Sequence, residues 1–391
     1  MALLGDAAHP FLPHQDQGGA VAIEDAAAIG VVLEYNGTPD QVQERLKLYQ
    51  DIRKSRADTI QKHTRLVGED LVPGQSPKLD QRVATTFNFG HDEYDNSTQK
   101  LREWKWTKQP ASYWTMPIAF GPMPGPRQSF EGKPRDLSES TTITSSITFK
   151  TSRTMLQNFF PPGSKQFSFT SPGTVAFASI SQVTLDGLEW LGGKGYDFIR
   201  IQIHGVTYIG KDGKTIQGTY VPVLWENLTD SILSGREELG MPKLYSEIVE
   251  TRHKTTQIVQ TSWRGAKWGY FEWIDLEEVD KDVSSHSKLG FELGEGILMQ
   301  RYIPSVGRDK RGISETEYTV FEQFPSSLNS KITRILKSKK GYVSIEPQNW
   351  TTLPTQHHII ARLADIPIFE VVDARIVEAV GISDSGQIIR V

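Results

Sequence analysis

The sequence predicts an α+β protein: a small helical N-terminal segment, then a large, mostly antiparallel β-sheet or barrel with few helices. Three observations predict this fold class. The first 70 residues favour helices after a short start, Pro and Gly punctuate residues 71 to 138, and β-branched and aromatic runs divided by turn residues follow from about residue 139. At 391 residues the chain has room for two domains of ordinary size.

The N-terminal segment is predicted to contain two helices. VAIEDAAAIGVVLEY suits a buried helix, and residues 37 to 40, Gly-Thr-Pro-Asp, end it. A long charged helix follows, with Leu46, Tyr49 and Ile52 at helical spacing on its apolar face. Residues 71 to 138 show little periodicity and are predicted to be a linker, with local order around residues 117 to 128.

The β-rich part is predicted from runs of residues that favour strands. The predicted strands are TTITSSITF, GTVAFASISQVTL, DFIRIQIHGVTYI, GTYVPVLWE, TTQIVQTSW, GYFEWIDL, GILMQRYIP and TEYTVFEQF. Two short helices are predicted, in TSRTMLQNFFP and REELGMPKLYSEIV. This spacing is typical of one large antiparallel sheet or barrel.

Composition excludes several classes of protein. The chain has no cysteine, which excludes disulfides, zinc thiolates and cysteine nucleophiles and fits a reducing, cytoplasmic compartment. Its net charge of −4 and its mixed charges do not favour nucleic acid, and the short basic run at Lys337, Lys339 and Lys340 is typical of a solvated turn. No segment is apolar enough to span a membrane, and the N-terminus lacks the basic region of a secretory signal.

GDAAHPFLPHQDQGGAVAIEDA, residues 5 to 26, resembles the second FAD-binding motif of class A flavin-dependent monooxygenases, the salicylate-hydroxylase-like group. Asp6, Pro13, Gly18 and Glu24 match that motif, and FNFGHDEYD, at residues 87 to 95, is similar to the usual end of these enzymes. The resemblance covers about residues 1 to 103. It implies that Asp6 contacts a flavin ribityl chain.

The glycine-rich fingerprint that binds the cofactor pyrophosphate is not found in this sequence. Residues 1 to 103 are therefore predicted to be a truncated, mainly helical monooxygenase fragment, and Asp6 binds flavin only if a partner chain completes the site. No cofactor is expected. His9 and His14, with Asp6 and Asp16, match no familiar metal spacing, so no metal is expected.

GREELGMPKL, residues 235 to 244, resembles the segment that carries the Schiff-base lysine of the acetoacetate decarboxylase family. Gly235, Arg236, Glu237, Pro242 and Lys243 match it. The resemblance runs from about residue 111 to the C-terminus and includes YIPSVG, residues 302 to 307, and ARLADIPIFEVVDARIVEA, residues 361 to 379. It implies a β-barrel-like cone with an apolar interior and a nucleophilic Lys243.

The chemistry explains why such a lysine needs its surroundings. Free lysine has a pKa near ~10.4, so little neutral amine exists at pH 7. Burial or a nearby cation lowers that pKa, and this activation is the one known for acetoacetate decarboxylase itself. The resulting iminium accepts electrons, which supports decarboxylation of a β-keto acid as well as aldol and dehydration chemistry.

This sequence departs from the family in its charged groups. Leu244 stands where the decarboxylases have a second lysine. The family's arginine and two glutamates fall near Thr141, Ala178 and Phe198, none of which ionises. These departures weaken the expectation that the protein decarboxylates a small β-keto acid. They weaken the predicted fold less.

Other polar residues are candidates for the missing roles. In DFIRIQIHGV, Arg200, Gln202 and His204 share one face. If this face lines the barrel, Arg200 binds a carboxylate and His204 moves protons; otherwise it meets solvent or packs as a satisfied polar layer. Arg236 and Glu237 either serve the lysine or form a helix-end ion pair. Five tryptophans either line a wide pocket or pack in the core: Trp190, Trp225, Trp263, Trp268 and Trp273.

The predicted organisation is a helical fragment at 1–103, a linker and lead-in strand at 104–138, and an acetoacetate-decarboxylase-like domain at 139–391. The predicted function is a lyase acting on a β-keto or polyketide-derived carbonyl compound through an imine at Lys243, in secondary metabolism. One alternative is a non-catalytic small-molecule-binding protein of the same fold. Another is a flavin monooxygenase remnant completed by a partner. Self-association into a homo-oligomer through strand-rich surfaces is also expected.

Overall fold

A computed structural model of the chain describes residues 1–34, 37–69, 79–108, 114–122, 135–280, 294–324, 330–382 and 388–391. The chain divides into two compact units, Met1–Met123 and Pro124–Val391. This boundary falls inside the predicted linker. Among the described residues, no helix combines the length and apolar character needed to cross a membrane.

The first unit is helical in its described residues. Its α-helices are α1 (Gln17–Val32), α2 (Val42–Val67), α3 (Gln81–Phe89) and α4 (Glu93–Thr107). The first two are the helices that the sequence predicts. Buried residues of α1 recur every three or four positions, at Val21, Asp25, Ala28 and Val32, so one face of this helix is buried rather than its whole circumference.

Helices α3 and α4 lie within residues 71–138, which were predicted to be a linker. The linker prediction was wrong for these two helices. Each helix begins at an aspartate whose side chain accepts a backbone hydrogen bond, from Arg82 N to Asp80 and from Asp95 N to Asp92. Such caps satisfy donors that have no partner in the first helical turn. Within the predicted ordered stretch at 117–128, residues 123–128 lie outside the described part of the chain.

Helix α2 buries arginines as well as part of the predicted apolar face. Tyr49 is buried, whereas Leu46 and Ile52 are only half-buried. The buried Arg53 donates from Nε to Asp25 Oδ1 at 2.8 Å and from Nη2 to Glu24 Oε2 at 2.8 Å. Because buried charges must be paired, the helix contacts its neighbours through ion pairs as well as through apolar packing, in which the half-buried Ile52 takes part.

Glu24 gives the first unit a pH dependence. Burial alone would raise its pKa, but hydrogen bonds from Arg56 and Arg53 hold that pKa below the ordinary 4.5. A carboxyl group with a lowered folded-state pKa contributes stability above its unfolded pKa and loses that contribution as pH falls through the folded value. We therefore expect amide-exchange protection of α1 and α2 to weaken as the full-length chain is acidified below about pH 4.5.

Hydrogen exchange followed by mass spectrometry checks this expectation. Glu24→Gln should reduce the pH-dependent part of the protection, because the amide cannot titrate. Glu44→Gln is the matched control, since Glu44 pairs with Lys108 while its side chain is 54% exposed. Equal acid sensitivity of the wild-type and Glu24→Gln proteins would contradict the assignment.

In its described residues, the second unit combines one 15-stranded sheet with short helices. The helices are α5 (Arg153–Gln157), α6 (Thr229–Ser234) and α7 (His357–Ala364). The strands are β1 (Thr141–Ser152), β2 (Phe167–Phe169), β3 (Val175–Leu188), β4 (Lys194–Ile209), β5 (Thr215–Tyr220), β6 (Leu224–Glu226), β7 (Lys243–Tyr245), β8 (Glu247–His253), β9 (Thr256–Trp263), β10 (Ala266–Glu278), β11 (Gly296–Pro304), β12 (Ser314–Gln323), β13 (Lys331–Ile345), β14 (Glu370–Val380) and β15 (Ile388–Arg390).

The sheet is mostly antiparallel, which confirms the predicted fold class. Its strand order is β15-β12-β11-β5-β4-β3-β1-β14-β13-β10-β9-β8. Strands β2 and β6 also pair with β4, and β7 pairs with β6. The β5–β11 and β6–β7 pairs are parallel. Strand β6 thus joins β4 to β7, which begins at Lys243.

Two local predictions for the second unit were wrong. REELGMPKLYSEIV is not one short helix, because Gly240 adopts a left-handed φ of 72° and Pro242 precedes β7. The basic run at residues 337–340 is not a turn but part of β13, where Ser338 is buried between exposed lysines. Alternation of lysine and small residues hid this strand from the sequence.

Three of the five tryptophans named from the sequence are buried in the core. Trp225, Trp268 and Trp273 are at most 2% exposed, and the rings of Trp225 and Trp268 lie 4.7 Å apart. Trp225 Nε1 donates to Gln356 Oε1 at 2.6 Å, which satisfies its buried donor. Trp190 differs, because it lines a cavity.

Candidate active site

The lysine motif forms a tight turn between helix and strand. Helix α6 continues into a single π-helical turn at Gly235–Leu239, which ends at Gly240. Strand β7 then starts at Lys243 and pairs in parallel with β6, placing Lys243 beside Leu224. This route returns the chain over its own helix, so the Lys243 side chain lies against the π-helical turn. Such turns occur frequently at functional sites.

Lys243 is a buried residue, only 5% exposed. Its Nζ lies 2.7 Å from Glu226 Oε1 and donates to the Ser231 carbonyl at 3.0 Å. A Cβ atom added to Gly235 would lie 2.3 Å from Lys243 Cε and 2.5 Å from Nζ. The lysine therefore occupies space that only glycine leaves open.

Glu226, which the sequence analysis did not single out, is the carboxylate next to this lysine. It is 1% exposed, and its second oxygen, Oε2, is buried without a hydrogen-bond partner. Glu226 is directly paired across β4 and β6 with Phe198, one of the three positions near which the resemblance implies an arginine or a glutamate. The carboxylate thus comes from the neighbouring strand.

Arg200 lies in the same cross-strand row as the lysine. The register pairs Arg200 with Leu224 and Leu224 with Lys243, so their side chains project from one face of the sheet. Burial lowers the pKa of Arg200, and the charge of Glu322 opposes that shift. Arg200 Nε is buried and has no hydrogen-bond partner.

These charged residues line one cavity of about 220 Å³. Arg200, Glu226, Lys243 and Glu322 supply two cations and two carboxylates. The remaining lining is mainly apolar and aromatic: Leu137, Leu185, Leu188, Trp190, Tyr196, Phe198, Val221, Leu224, Leu239, Met241, Met299 and Ile382, with Ser231 and Ser234. Burial raises the pKa of Tyr196, and the charges of Glu226 and Glu322 add to that effect.

His204 is not among the residues that line this cavity. Its Nε2 lies 2.6 Å from Ser179 Oγ and its Nδ1 lies 3.0 Å from Thr219 Oγ1. Burial, with a smaller contribution from Arg200, lowers its pKa to about 3, so the ring is neutral at pH 7. The polar face of β4 therefore divides: Arg200 faces the cavity, whereas Gln202 and His204 pack in a buried hydrogen-bonded layer.

Arg236 and Glu237 also lie outside the cavity lining. Arg236 Nη1 donates to the Lys243 carbonyl at 2.9 Å, and the Glu237 carbonyl accepts from Arg301 Nη2 at 2.8 Å. Both contacts involve backbone oxygens of the lysine-bearing segment. These residues therefore hold that segment in place, and neither offers a group to the cavity.

The family model described as acetoacetate decarboxylase matches residues 115–390. The chain belongs to the acetoacetate decarboxylase family. A solved acetoacetate decarboxylase is 11% identical, covers 68% of this chain and 94% of its own, and gives a TM-score of 0.46. The decarboxylase of Legionella pneumophila is 12% identical, covers 62% of this chain and 85% of its own, and gives a TM-score of 0.43.

The N-terminal part matches different proteins. An FAD-dependent monooxygenase from Aspergillus candidus is 54% identical over 61 residues, which make up 16% of this chain and 14% of that protein. A notoamide E oxidase from an Aspergillus species is 50% identical over 62 residues, or 16% of this chain and 13% of that protein. The matches confirm the predicted resemblance of the N-terminus to monooxygenase C-terminal fragments, but each covers a small part of the relative.

The first unit does not fit FAD by itself. Asp6, the expected flavin contact, is exposed in a 3-10 turn, and the described residues of this unit contain no β-strand. A dinucleotide pyrophosphate needs a strand, a glycine-rich turn and a helix N-terminus. Another cluster, formed by Glu24, His91 and Glu93, has the spacing of metal ligands. Both carboxylates are paired with Arg53, so the cluster is part of an ion-pair network.

Proposed function

We propose that this protein is a lyase that forms an imine between Lys243 and a β-keto or polyketide-derived carbonyl compound, and that it acts in secondary metabolism without a cofactor. The observation that carries the proposal is the buried Lys243 on a mainly apolar cavity, 2.7 Å from Glu226. Similarity of the N-terminus to oxygenases supports the metabolic setting by association only.

Glu226 supplies the proton acceptor that this chemistry needs. A proton passes from the Lys243 ammonium to the Glu226 carboxylate, which leaves a neutral amine and a carboxylic acid. The amine attacks the ketone carbon, and the acid returns its proton as the carbinolamine loses water. The short contact between Nζ and Oε1 makes both transfers direct.

The iminium then serves as the electron acceptor. In decarboxylation, the bond from the α-carbon to the carboxylate breaks, CO₂ leaves, and the electron pair moves through the new double bond onto nitrogen. The enamine takes a proton on carbon, and water releases the ketone. In aldol-type chemistry, the enamine carbon instead bonds to a second carbonyl.

Glu226→Gln tests the proton-transfer role. The amide keeps the shape and can still accept from Nζ, but it cannot take up a proton. We expect turnover to fall about 10²–10⁴-fold, the usual contribution of a general base, with the fold retained. Glu237→Gln is the matched control, because its side chain lies outside the cavity lining; equal losses in both variants would contradict the role.

Borohydride reduction tests the imine itself. The full-length protein is incubated with a panel of β-keto acids and reduced, and the modified peptide is located by mass spectrometry. We expect one adduct, at Lys243. An adduct at another lysine, or none across the panel, would contradict the proposal.

A non-catalytic binding protein is the second candidate. It is favoured by the ion pair of Lys243 with Glu226, which leaves the ammonium well satisfied. This candidate is distinguished by saturable binding of a carbonyl ligand that never becomes trapped on borohydride reduction.

A further inference from the structure

One wall of the Lys243 cavity is aromatic. Tyr196 and Phe198 lie two residues apart on β4, and Trp190 comes from the 3-10 turn before that strand. Ring centroids of Trp190 and Tyr196 lie 6.3 Å apart, as do those of Tyr196 and Phe198. We call these three residues, all of which line the cavity, the aromatic wall.

The rest of the lining is mainly aliphatic. Leucine, valine, isoleucine and methionine side chains from several elements contribute to it. Apolar lining stabilises a ligand in proportion to the apolar area that the ligand removes from water. A substrate as small and polar as 3-oxobutanoate would leave most of this surface without a partner.

The cavity has room for a ring and a short chain. Its volume is about 220 Å³, whereas an apolar cavity of roughly 150 Å³ accommodates benzene. The remaining space suits a few more atoms. Lys243 lines this cavity, where it can receive a carbonyl. Arg200 on β4 pairs with Leu224 on β6, and Leu224 pairs with Lys243 on β7, so the two cations lie in one cross-strand row.

Arg200 indicates the charge of the ligand. Its Nε is buried and lacks a hydrogen-bond acceptor, which is costly for a charged group. A carboxylate is the acceptor that a guanidinium binds best, because two parallel N–H groups match its two oxygens.

We propose that the substrate is a 3-oxo acid that carries a flat apolar ring, with its ketone at Lys243, its carboxylate at Arg200 and its ring on the aromatic wall. The inference rests on the proposed function. The reaction is balanced as keto acid plus one proton giving methyl ketone plus CO₂, with the imine formed and hydrolysed at Lys243 in each cycle.

Two substrates that differ only by a phenyl group test this proposal. We compare 3-oxobutanoate with 3-oxo-4-phenylbutanoate on the full-length protein, measuring kcat/KM above the uncatalysed rate, Kd by calorimetry and borohydride trapping. Because a buried phenyl group contributes substantial apolar transfer energy, we expect at least a tenfold preference for the phenyl compound in kcat/KM.

Substitutions on the aromatic wall sharpen the test. Trp190→Ala should reduce the preference at least threefold, and Trp190→Phe should retain most of it, which separates ring contact from misfolding. Trp350→Ala is the control, since Trp350 is 65% exposed and does not line the cavity.

The outcomes separate this inference from the proposed function. Trapping of both compounds at Lys243 with no phenyl preference would overturn the ring-bearing substrate and leave the imine function standing. Tight, phenyl-selective binding without trapping would support the aromatic wall as the recognition surface and overturn the imine function. A preference unchanged by Trp190→Ala would overturn the role of the wall.

Discussion

Lys243→Arg is expected to abolish borohydride-trappable imine formation and to lower keto-acid turnover by at least about 10³-fold, as loss of a covalent nucleophile does in other enzymes. Guanidinium stays protonated at any accessible pH and cannot attack a carbonyl. The variant nevertheless keeps a cation beside Glu226, 2.7 Å from Nζ in the wild-type protein. Loss of activity should therefore not come from an unpaired buried carboxylate.

A second substitution shows why the charge matters. Lys243→Met fills a similar volume but leaves Glu226, which is 1% exposed, without its cation. Removing one partner of a buried ion pair costs about 3–5 kcal/mol, so this variant should unfold at lower denaturant concentration than Lys243→Arg. Urea unfolding of both variants measures the difference.

Lys254→Arg is the matched control for the nucleophile. Lys254 is exposed in the turn between β8 and β9, and the same change there should leave trapping and turnover within about twofold of the wild-type values. Residual trapping in Lys243→Arg, or equal losses in both variants, would contradict the assignment of Lys243.

Much of the fold could be predicted because period-two patterns of β-branched and aromatic residues are local. Strands such as β4 and β11 appear in the sequence as nearly complete runs. Strand β13 was missed because its exposed lysines interrupt the apolar pattern. The run GTYVPVLWE, predicted as one strand, is divided between the end of β5 and β6. Strand β7 has three residues, too few for a periodic signal, and it exists because β6 holds it in register.

Residues of the candidate site could be predicted only where their signal lies within one contiguous segment of the sequence. Lys243 could be predicted because its whole motif is contiguous, and Arg200 because it alternates with apolar residues on one strand. Glu226 could not, because its approach to the lysine depends on the parallel pairing of β6 with β7. An acid in the otherwise apolar run VPVLWE was the available signal, since a buried carboxylate requires a partner.

Gly235→Ala tests whether Lys243 must keep its position beside Glu226 for activity. Gly235 has an ordinary helical φ of −64°, so alanine is compatible with its backbone. Its new Cβ, however, would lie 2.3–2.5 Å from Lys243 Cε, Cδ and Nζ. Because these contacts are too short, the lysine must leave its place beside Glu226 or the turn must shift.

We expect Gly235→Ala to fold but to lose about 10²-fold or more in turnover, as small misplacements of reacting groups do. Trapping of the displaced amine should also slow, and its rate can be measured by quenching the reduction at intervals. Unlike Lys243→Arg, this variant retains the nucleophile, so high carbonyl concentration should recover part of the trapping.

Gly30→Ala is the matched control. Gly30 lies in α1, where an added Cβ meets nothing within 4 Å, so alanine should leave activity unchanged and favour the helix by about 0.5–1 kcal/mol. Wild-type turnover in Gly235→Ala would mean that the lysine does not need the space beside residue 235, and that the contact with Glu226 is not required for its chemistry. Turnover lost together with the fold would instead be seen as a lowered unfolding midpoint, which the urea measurement on the same sample detects.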